Sequence, residues 1–579
     1  MKQTVFAAIV LLLVLAGAVL HPRLSPAPVA LAPSASSVVL IAVEGLPVFD
    51  RAGGYAAYPH LRERSDTGAT GLIPTRNGSV DELDFDAGMR VLIAGSRSPD
   101  ADAPTLLTVA AGKTKFSPTA PRPFSLRRFI GRDAVQNADR FVGSLSPEAT
   151  VLIVGVTPTA DALANRERVA PMILSAPSLR QNAPHYLTSP STRNRAGLCA
   201  LTDVAATAAV LVGVPETIGD GRAMRTIPTA LSPGELRSRL HRNATVWAQQ
   251  SREQRALPAL PWVLVALVIA AIFAPEGRIK TAARIAVLAA PISLVIAAPF
   301  VPAPAPPWCV YALAATATGV FAVAGARIPA WGQRLPRLLA IVTALTVGAD
   351  TLTGGTLLAR TPLSYSVLEA ARFYGIGNEI SGLFLGAALI AVGTQPLAAT
   401  LLYGGAVAMT FGAPALGADA GGFVASLVAF SVLAFRGAGR KVSAGKIVAA
   451  GVAVVVAGAA FALWDGSRPA QTRTHIGGAV VRAREQGGKS LAPMIRRKVS
   501  INAYLLIFSP WSALLAAQSG AILLRARERK KAGLLAYPPP QAGLNTGIIA
   551  LLLLNDSGVV AGATCALWQG GQAGEKSQT

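Results

Sequence analysis

Residues 37–45 read SVVLIAVEG and residues 151–158 read VLIVGVTP. Each is a short, continuous apolar run rich in Val and Ile that empties into a Gly- or Pro-containing loop, the pattern of a buried strand ending at a solvent-facing edge. RVAPMILSA at 168–176 is a third run of this kind, and TDVAATAAVLVGV at 202–214 reads as a helix stopped by Gly and Pro. Strands interleaved with helices predict an α/β domain over residues 37–225, built on a largely parallel sheet with flanking helices.

Outward from that domain the composition changes. The chain of 579 residues is 52% hydrophobic and only 14% charged, too apolar for a soluble protein of this size. Apolar runs lengthen near 261–275, 285–300, 309–326, 337–353, 379–394, 396–412, 420–436, 446–464, 501–524 and 541–567. With VFAAIVLLLVLAGAVL at 5–20 this predicts about eleven spans, and Pro510 is placed to divide or kink one of them. The expected organisation is a signal anchor or signal peptide at 1–22, the α/β domain, a polar linker at 226–258 and an all-α polytopic region of about ten helices at 259–567. That region includes an outer loop at 465–500, and a tail follows at 568–579.

The formal charge of +23 raises the question of a nucleic-acid partner, but the basic residues flank apolar runs, as in RARERKK at 525–531. Such clusters fix topology and touch anionic headgroups, so membrane lipids are the expected partners and nucleic acid is not. With a cytoplasmic N-terminus, the segments 276–284, 327–337, 436–446 and 525–531 fall inside, each with three or more Lys or Arg. The α/β domain and the segments 354–378 and 465–500 then fall outside, so the expected location is a multi-pass cell-membrane protein with an extracytoplasmic domain. Cys199, Cys309 and Cys565 are far apart and form no CxxC pair, which argues against a disulfide scaffold or thiolate zinc site.

Four segments of the α/β domain resemble the alkaline-phosphatase superfamily: VVLIAVEGLPVFD at 38–50, YPHLRERSDTGATGLIPT at 58–75, APTLLTVAAG at 103–112, and GLCALTDVAATAAVLVGVPETIGDG at 197–221. The resemblance implies that fold, and in active members a divalent metal site, usually of two ions, beside a Ser or Thr nucleophile. Two cations neutralise developing phosphoryl charge while one lowers the nucleophile's pKa. Glu44 takes the first ligand position and His185 is the further candidate ligand, whereas Thr157 and Pro158 stand where an Asp-His pair is expected. His60 and His185 are the only histidines in the domain, so the implied cofactor is none or a divalent metal on an incomplete ligand set. Thr75 is the leading candidate nucleophile, ahead of Ser79, Thr105 and Thr108. Asp203 is expected to cap the helix that follows it.

In the apolar half, ARFYGIGNE at 371–379, GAPALGADAGG at 412–422, THIGG at 474–478 and LLNDSGVVA at 553–561 each set polar residues beside glycine near an apolar run. A broken backbone at such depth is tolerated only where it lines protein or water. The layout resembles a family of bacterial polytopic membrane proteins in which an alkaline-phosphatase-like domain precedes a membrane region with an RFYGIGNE segment. Candidate catalytic residues there are Glu379, His475 and Asp556, and candidate substrate-binding residues are Arg372, Asn378, Asp419 and Arg496. An unpaired charge at the hydrocarbon edge costs several kcal/mol, so Glu369, Arg372 and Glu379 are expected to be paired, hydrated or functional. The expected function is handling of an anionic lipid-linked or glycan substrate at the outer face of the bacterial envelope. Two readings stay open beside it: a metal-dependent phosphatase or phosphoethanolamine-type transferase, and a noncatalytic scaffold for envelope-assembly proteins.

Overall fold

The computed structural model describes residues 27–572 apart from 35, 50–53, 77–83, 97–105, 107–123, 181–183, 215–217, 220, 371, 414–415, most of 441–490, and 534–536. The expected signal segment at 1–22 lies outside the described residues, as do Ser79, Thr105, Thr108, His475 and most of the 465–500 loop.

The three strand-like runs form strands, and five further strands complete an eight-stranded sheet. In chain order these are β1 (Val29–Ala30), β2 (Val38–Val43), β3 (Ala69–Pro74), β4 (Phe124–Phe129), β5 (Thr150–Gly155), β6 (Val169–Ser175), β7 (His185–Thr188) and β8 (Arg225–Pro228). Their spatial order is β1-β8-β7-β3-β6-β5-β2-β4. The sheet is mixed, not largely parallel. β2 runs parallel to β4 and β5, and β3 to β7, while the β1·β8, β3·β6, β5·β6 and β7·β8 ladders are antiparallel. Between β5 and β6 the connection holds only the five-residue helix Ala160–Ala164. It turns the chain back at the strand end instead of carrying it across a face.

Strand alternation sorts the core into two layers. Val38, Leu40 and Ala42 of β2 join one cluster with Met89, Leu92, Val204 and Ala208. Val39, Ile41 and Val43 join the other with Leu61, Ala138 and Val142. The 226–258 segment is not a linker. Residues Pro233–Glu253 form a helix opened by a Ser232/Glu235 capping box, and its Leu236, Leu240, Ala244 and Trp247 sit in that second layer. Their spacing of four, four and three residues is an amphipathic stripe concealed among arginines and glutamines.

Val367 and Leu368, from the long segment between two helices of the apolar half, enter the same layer. The sheet domain and the helical region therefore share hydrophobic packing. Polar bonds add to it: Gln250 Nε2 donates to Thr361 O (2.9 Å) and Tyr365 O (3.2 Å), and Gln254 Nε2 to Ser364 O (2.6 Å).

Among the described residues, four helices of the apolar half are long and apolar enough to cross a membrane: Arg278–Phe300, Trp308–Arg327, Pro329–Leu352 and Ala420–Gly437. A fifth candidate is the pair Arg496–Phe508 and Pro510–Lys531, bent by 76° where the 501–524 run meets Pro510. Helices Ala259–Phe273, Asn378–Val392, Leu397–Gly412 and Pro539–Leu554 are shorter. At 15–16 residues they reach roughly 23 Å, less than a hydrocarbon core of about 30 Å. The 541–567 run is two helices, Pro539–Leu554 and Gly558–Ala566, because Asn555–Ser557 break it. Of the four shorter helices, only the one from the 541–567 run is cut short, by the Asn555–Ser557 interruption; the other three match their apolar runs, which were themselves short.

Candidate functional site

The α/β residues that resemble a phosphatase site do not meet. From His185 the ladder runs through Ala69, Leu174 and Leu152 to Leu40, four strand spacings or roughly 19 Å. Glu44 lies four residues beyond Leu40 along β2, a further ~13 Å. The two candidate ligands are therefore at opposite ends of the sheet, too far apart to share an ion. Glu44 Oε2 instead accepts from Gly131 N (2.7 Å), and Gly45 N donates to Thr157 Oγ1 (3.0 Å), so these loops are fastened by hydrogen bonds. His185 is buried, Nδ1 has no partner among the described residues, and burial lowers its pKa.

Thr75 follows β3 at the Glu44 end of the sheet, but three strands away. Its side chain is fully buried, its hydroxyl has no hydrogen-bond partner among the described residues, and its N–H donates to Arg168 O (3.0 Å). Asp203 is not the helix cap; that position belongs to Thr202. The Asp203 carboxylate is fully buried and accepts from the Ser189 hydroxyl, from Ser191 Oγ (2.8 Å) and from Arg222 N (2.9 Å). Burial pushes its pKa up to about 6 against the lowering effect of those bonds. Among the described residues no three His, Cys, Asp or Glu side chains gather as metal ligands.

In the helical region the glycine-rich segments do come together, around Asp419. Its carboxylate caps the Ala420–Gly437 helix by accepting from Gly422 N (2.9 Å). It also accepts from Ser381 Oγ (2.6 Å), one turn into Asn378–Val392, and from Asn555 Nδ2 (3.2 Å), at the break before Gly558–Ala566. Asp419 is only 7% exposed. Three helix N-termini, each carrying partial positive charge, thus meet at one buried carboxylate. Two of them are capped by side chains: Asp419 serves the first, while Asn555 Oδ1 and Asn502 Oδ1 accept from Ser557 N (3.1 Å) and Gly558 N (2.8 Å) of the third. The Asn378–Val392 helix begins after Gly377, with no side-chain cap.

Glycine makes these approaches possible. Gly375 has φ +94, and a Cβ there would collide with the Gly417 carbonyl. At this contact Ile376 N donates to Gly417 O (3.0 Å).

The nominated residues other than His475 lie among the described residues. The Arg372 guanidinium bridges the two loops, donating to Ile376 O and to Ala418 O (3.5 Å). Asn378 and Glu379 are half-buried in the first turn of their helix, and neither side chain bonds to another described residue. Glu379 lies one turn before Gly382, on the face that packs against Ala561 and Thr564 of the third helix. Asp556 is at the rim: its side chain is 86% exposed, with Lys498 Nζ at 3.5 Å. Arg496 is exposed nearby on the same helix as Lys498. Lys498 Nζ also donates to Leu554 O (2.5 Å), and Asn502 Nδ2 to Asp556 O (3.1 Å).

Glu369 is paired: Arg76 and Arg168 of the sheet domain each donate to it. Ser381, Lys498 and Asn502 were not legible as site residues. Ser381 could have been found one helical turn after the GIGN break, but nothing in the sequence ties Lys498 or Asn502 to residues more than fifty positions on.

No protein-family model, curated protein or solved structure matches the chain.

Proposed function

We propose that this chain is an integral membrane protein of the bacterial cell envelope that handles an anionic lipid-linked or glycan substrate where its broken helices meet. The observation that carries the reading is the convergence of three helix N-termini on Asp419, with the Arg372 and Lys498 side chains at the same break. Helix N-termini and cationic side chains favour an anion, and discontinuous helices put such a site at the end of a span instead of on its flank. The half-buried Glu379 carboxylate, with no ion pair among the described residues, is the group suited to exchange a proton there. The charge distribution along the chain supports an extracytoplasmic position for this end of the helices, and for the sheet domain with it.

The sheet domain is read as alkaline-phosphatase-like without that superfamily's chemistry. The support is its order of segments and β2, which lies one strand in from the sheet edge between parallel neighbours and leads directly into Glu44. The separation of Glu44, Thr75 and His185 favours a domain that covers or guides substrate over one that hydrolyses it.

Mass spectrometry of organic extracts from the full-length protein, purified in mild detergent, tests the function. An anionic lipid-linked species retained by the wild type and lost from Lys498→Gln is the expected result. Equal retention of bulk phospholipid by both proteins contradicts the proposal.

A further inference from the structure

Outside the Asp419 node, the joint between the two regions gathers a second group of charges. Arg193 and Arg195 follow the short Pro190–Thr192 turn of the sheet domain, in a loop fastened to β3 by Leu72 N to Gly197 O and Cys199 N to Leu72 O, both 2.8 Å. Arg193 and Asn194 adopt left-handed backbone conformations, φ +59 and +54. Two successive non-glycine residues in that region store strain of the kind found where a side chain must be aimed.

The helical region supplies Tyr365, Arg372 and Tyr374. The Arg193 guanidinium lies 5.2 Å from the Tyr374 ring centroid, a cation–π contact. The charges acting on the Tyr365 hydroxyl are Arg195, Arg372, Arg193 and a single carboxylate, Asp350. Asp350 is already committed to Leu357 N and Leu358 N, both 2.8 Å, and Thr356 Oγ1 at 3.4 Å. Glu369 is held by Arg76 and Arg168.

Among the described residues, then, no carboxylate pairs with Arg193, Arg195 or Arg372. Nor do the Arg195 guanidinium and the Tyr365 hydroxyl find a hydrogen-bond partner among them. Burial disfavours the charged form of Arg193 and of Arg195, yet guanidinium stays protonated in proteins. Arg193, Arg195 and Tyr365 are each partly exposed, and Asp350 acts on Arg195 without forming an ion pair with it, so this half-shielded, under-compensated positive charge favours a counter-anion.

We propose that Arg193, Arg195 and the Tyr365 hydroxyl, beside Arg372, bind a phosphate-class oxyanion at the joint between the sheet domain and the helical region. Arg195 donates through its planar fork, Arg193 is held in place by Tyr374, and the Tyr365 hydroxyl supplies a neutral donor. The inference rests on the proposed function only for the source of the anion: a lipid-linked headgroup, or a free phosphate or pyrophosphate.

The test is calorimetric titration of the full-length protein in detergent with inorganic pyrophosphate. In parallel, a lipid-binding assay compares vesicles of phosphatidylcholine with vesicles containing phosphatidylglycerol. Wild type is expected to bind pyrophosphate, with affinity weakened about tenfold or more in Arg195→Gln and Arg193→Gln. Affinity should be partly restored in Arg195→Lys and unchanged in Arg140→Gln, an exposed position of the sheet domain.

Tyr365→Phe, which keeps the ring, is expected to weaken binding by a few-fold and serves if an arginine variant fails to fold. Binding of pyrophosphate alone supports a free-anion source; Arg195-dependent binding confined to phosphatidylglycerol vesicles supports a headgroup source. The site is overturned if wild type binds neither, or if Arg193→Gln and Tyr365→Phe bind as wild type does. Pyrophosphate binding that persists when no lipid-linked species is retained leaves this site standing while refuting the proposed function.

Discussion

The sheet domain and the helical region treat their polar residues in opposite ways. In the sheet domain, Glu44, Thr75, His185 and Asp203 are dispersed: two lie at opposite ends of the sheet, one is wholly buried, and one sits at the centre of a small hydrogen-bonded network. In the helical region Asp419, Ser381 and Asn555 come from three separate segments and meet. Segments that resemble a catalytic superfamily in sequence thus need not bring their polar side chains together. Polar residues next to glycine in an apolar chain, which resemble nothing so specific, are the better pointer to a shared site.

The largest expected effect comes from the joint. Trp247 is 5% exposed and packs its helix onto the second core layer, so Trp247→Ala should cost about 3–5 kcal/mol. It should also open residues 226–258 to limited proteolysis. If the wild type is already cleaved there and the substitution leaves stability unchanged, the segment is a linker and does not couple the two regions.

Next is the node. Asp419→Ala leaves the Ser381 hydroxyl, the Asn555 amide and the Gly422 N–H without their acceptor, a loss of about 3 kcal/mol or more. Thermal unfolding in micelles measures it. A change as small as that of an exposed residue would mean that the three segments do not depend on one another.

A comparable effect is expected from pH, and it lies in the sheet domain and its helix. Burial pushes Asp203 up to about 6 and Glu253 up to about 7, both above ordinary carboxyl values. The folded form therefore holds these protons more tightly than the unfolded chain. Their contribution favours the folded state on the acid side and is lost as pH rises from about 4 to about 7, then levels off. For Glu253 the change is up to roughly 3 kcal/mol. Glu253→Gln, which keeps the partner of Gln249 Nε2, should flatten its share of the slope when Tm is followed from about pH 4.5 to about pH 8. Identical slopes for the two proteins would contradict the assignment.

Glu369→Gln weakens the bridge to Arg76 and Arg168, whose partly exposed geometry limits the loss to about 1 kcal/mol. Asp556→Ala should fall within about 0.5 kcal/mol, because that carboxylate is 86% exposed. If Asp556→Ala proves more damaging to stability than Asp419→Ala, the rim and not the buried node organises the helices.

Much of the architecture was readable from residue order. SVVLIAVEG, VLIVGVTP and RVAPMILSA are strands because continuous Val- and Ile-rich runs of that length bury both faces. Strand direction was not readable. The antiparallel β5·β6 and β3·β6 pairings depend on where connections cross, and apolar runs carry no such information.

The Pro233–Glu253 helix was concealed because its four core residues are spread through a segment rich in Arg and Gln, where polarity suggested a linker. The helix ends at 508 and 554 were foreseeable from Pro510 and from the NDS interruption, but not the consequence that the second break faces Asp419 and Lys498. Of the site, the segments were legible and their meeting point was not, since Ser381, Asp419 and Asn555 are joined only by the fold. Arg193 and Arg195 gave a local signal, two arginines in STRNR before a glycine, but their importance lies in tyrosines of the other region.

Photolabelling the full-length protein in nanodiscs with a photoreactive anionic phospholipid, followed by peptide mapping, tests most directly where the substrate meets the chain. Label is expected on peptides containing residues 372–381, 417–421 and 555–558, and should diminish in Lys498→Gln. Label confined to peptides containing Glu44, Thr75 or Asp203, and indifferent to Lys498, would return the chemistry to the sheet domain and contradict a substrate site at the helix breaks.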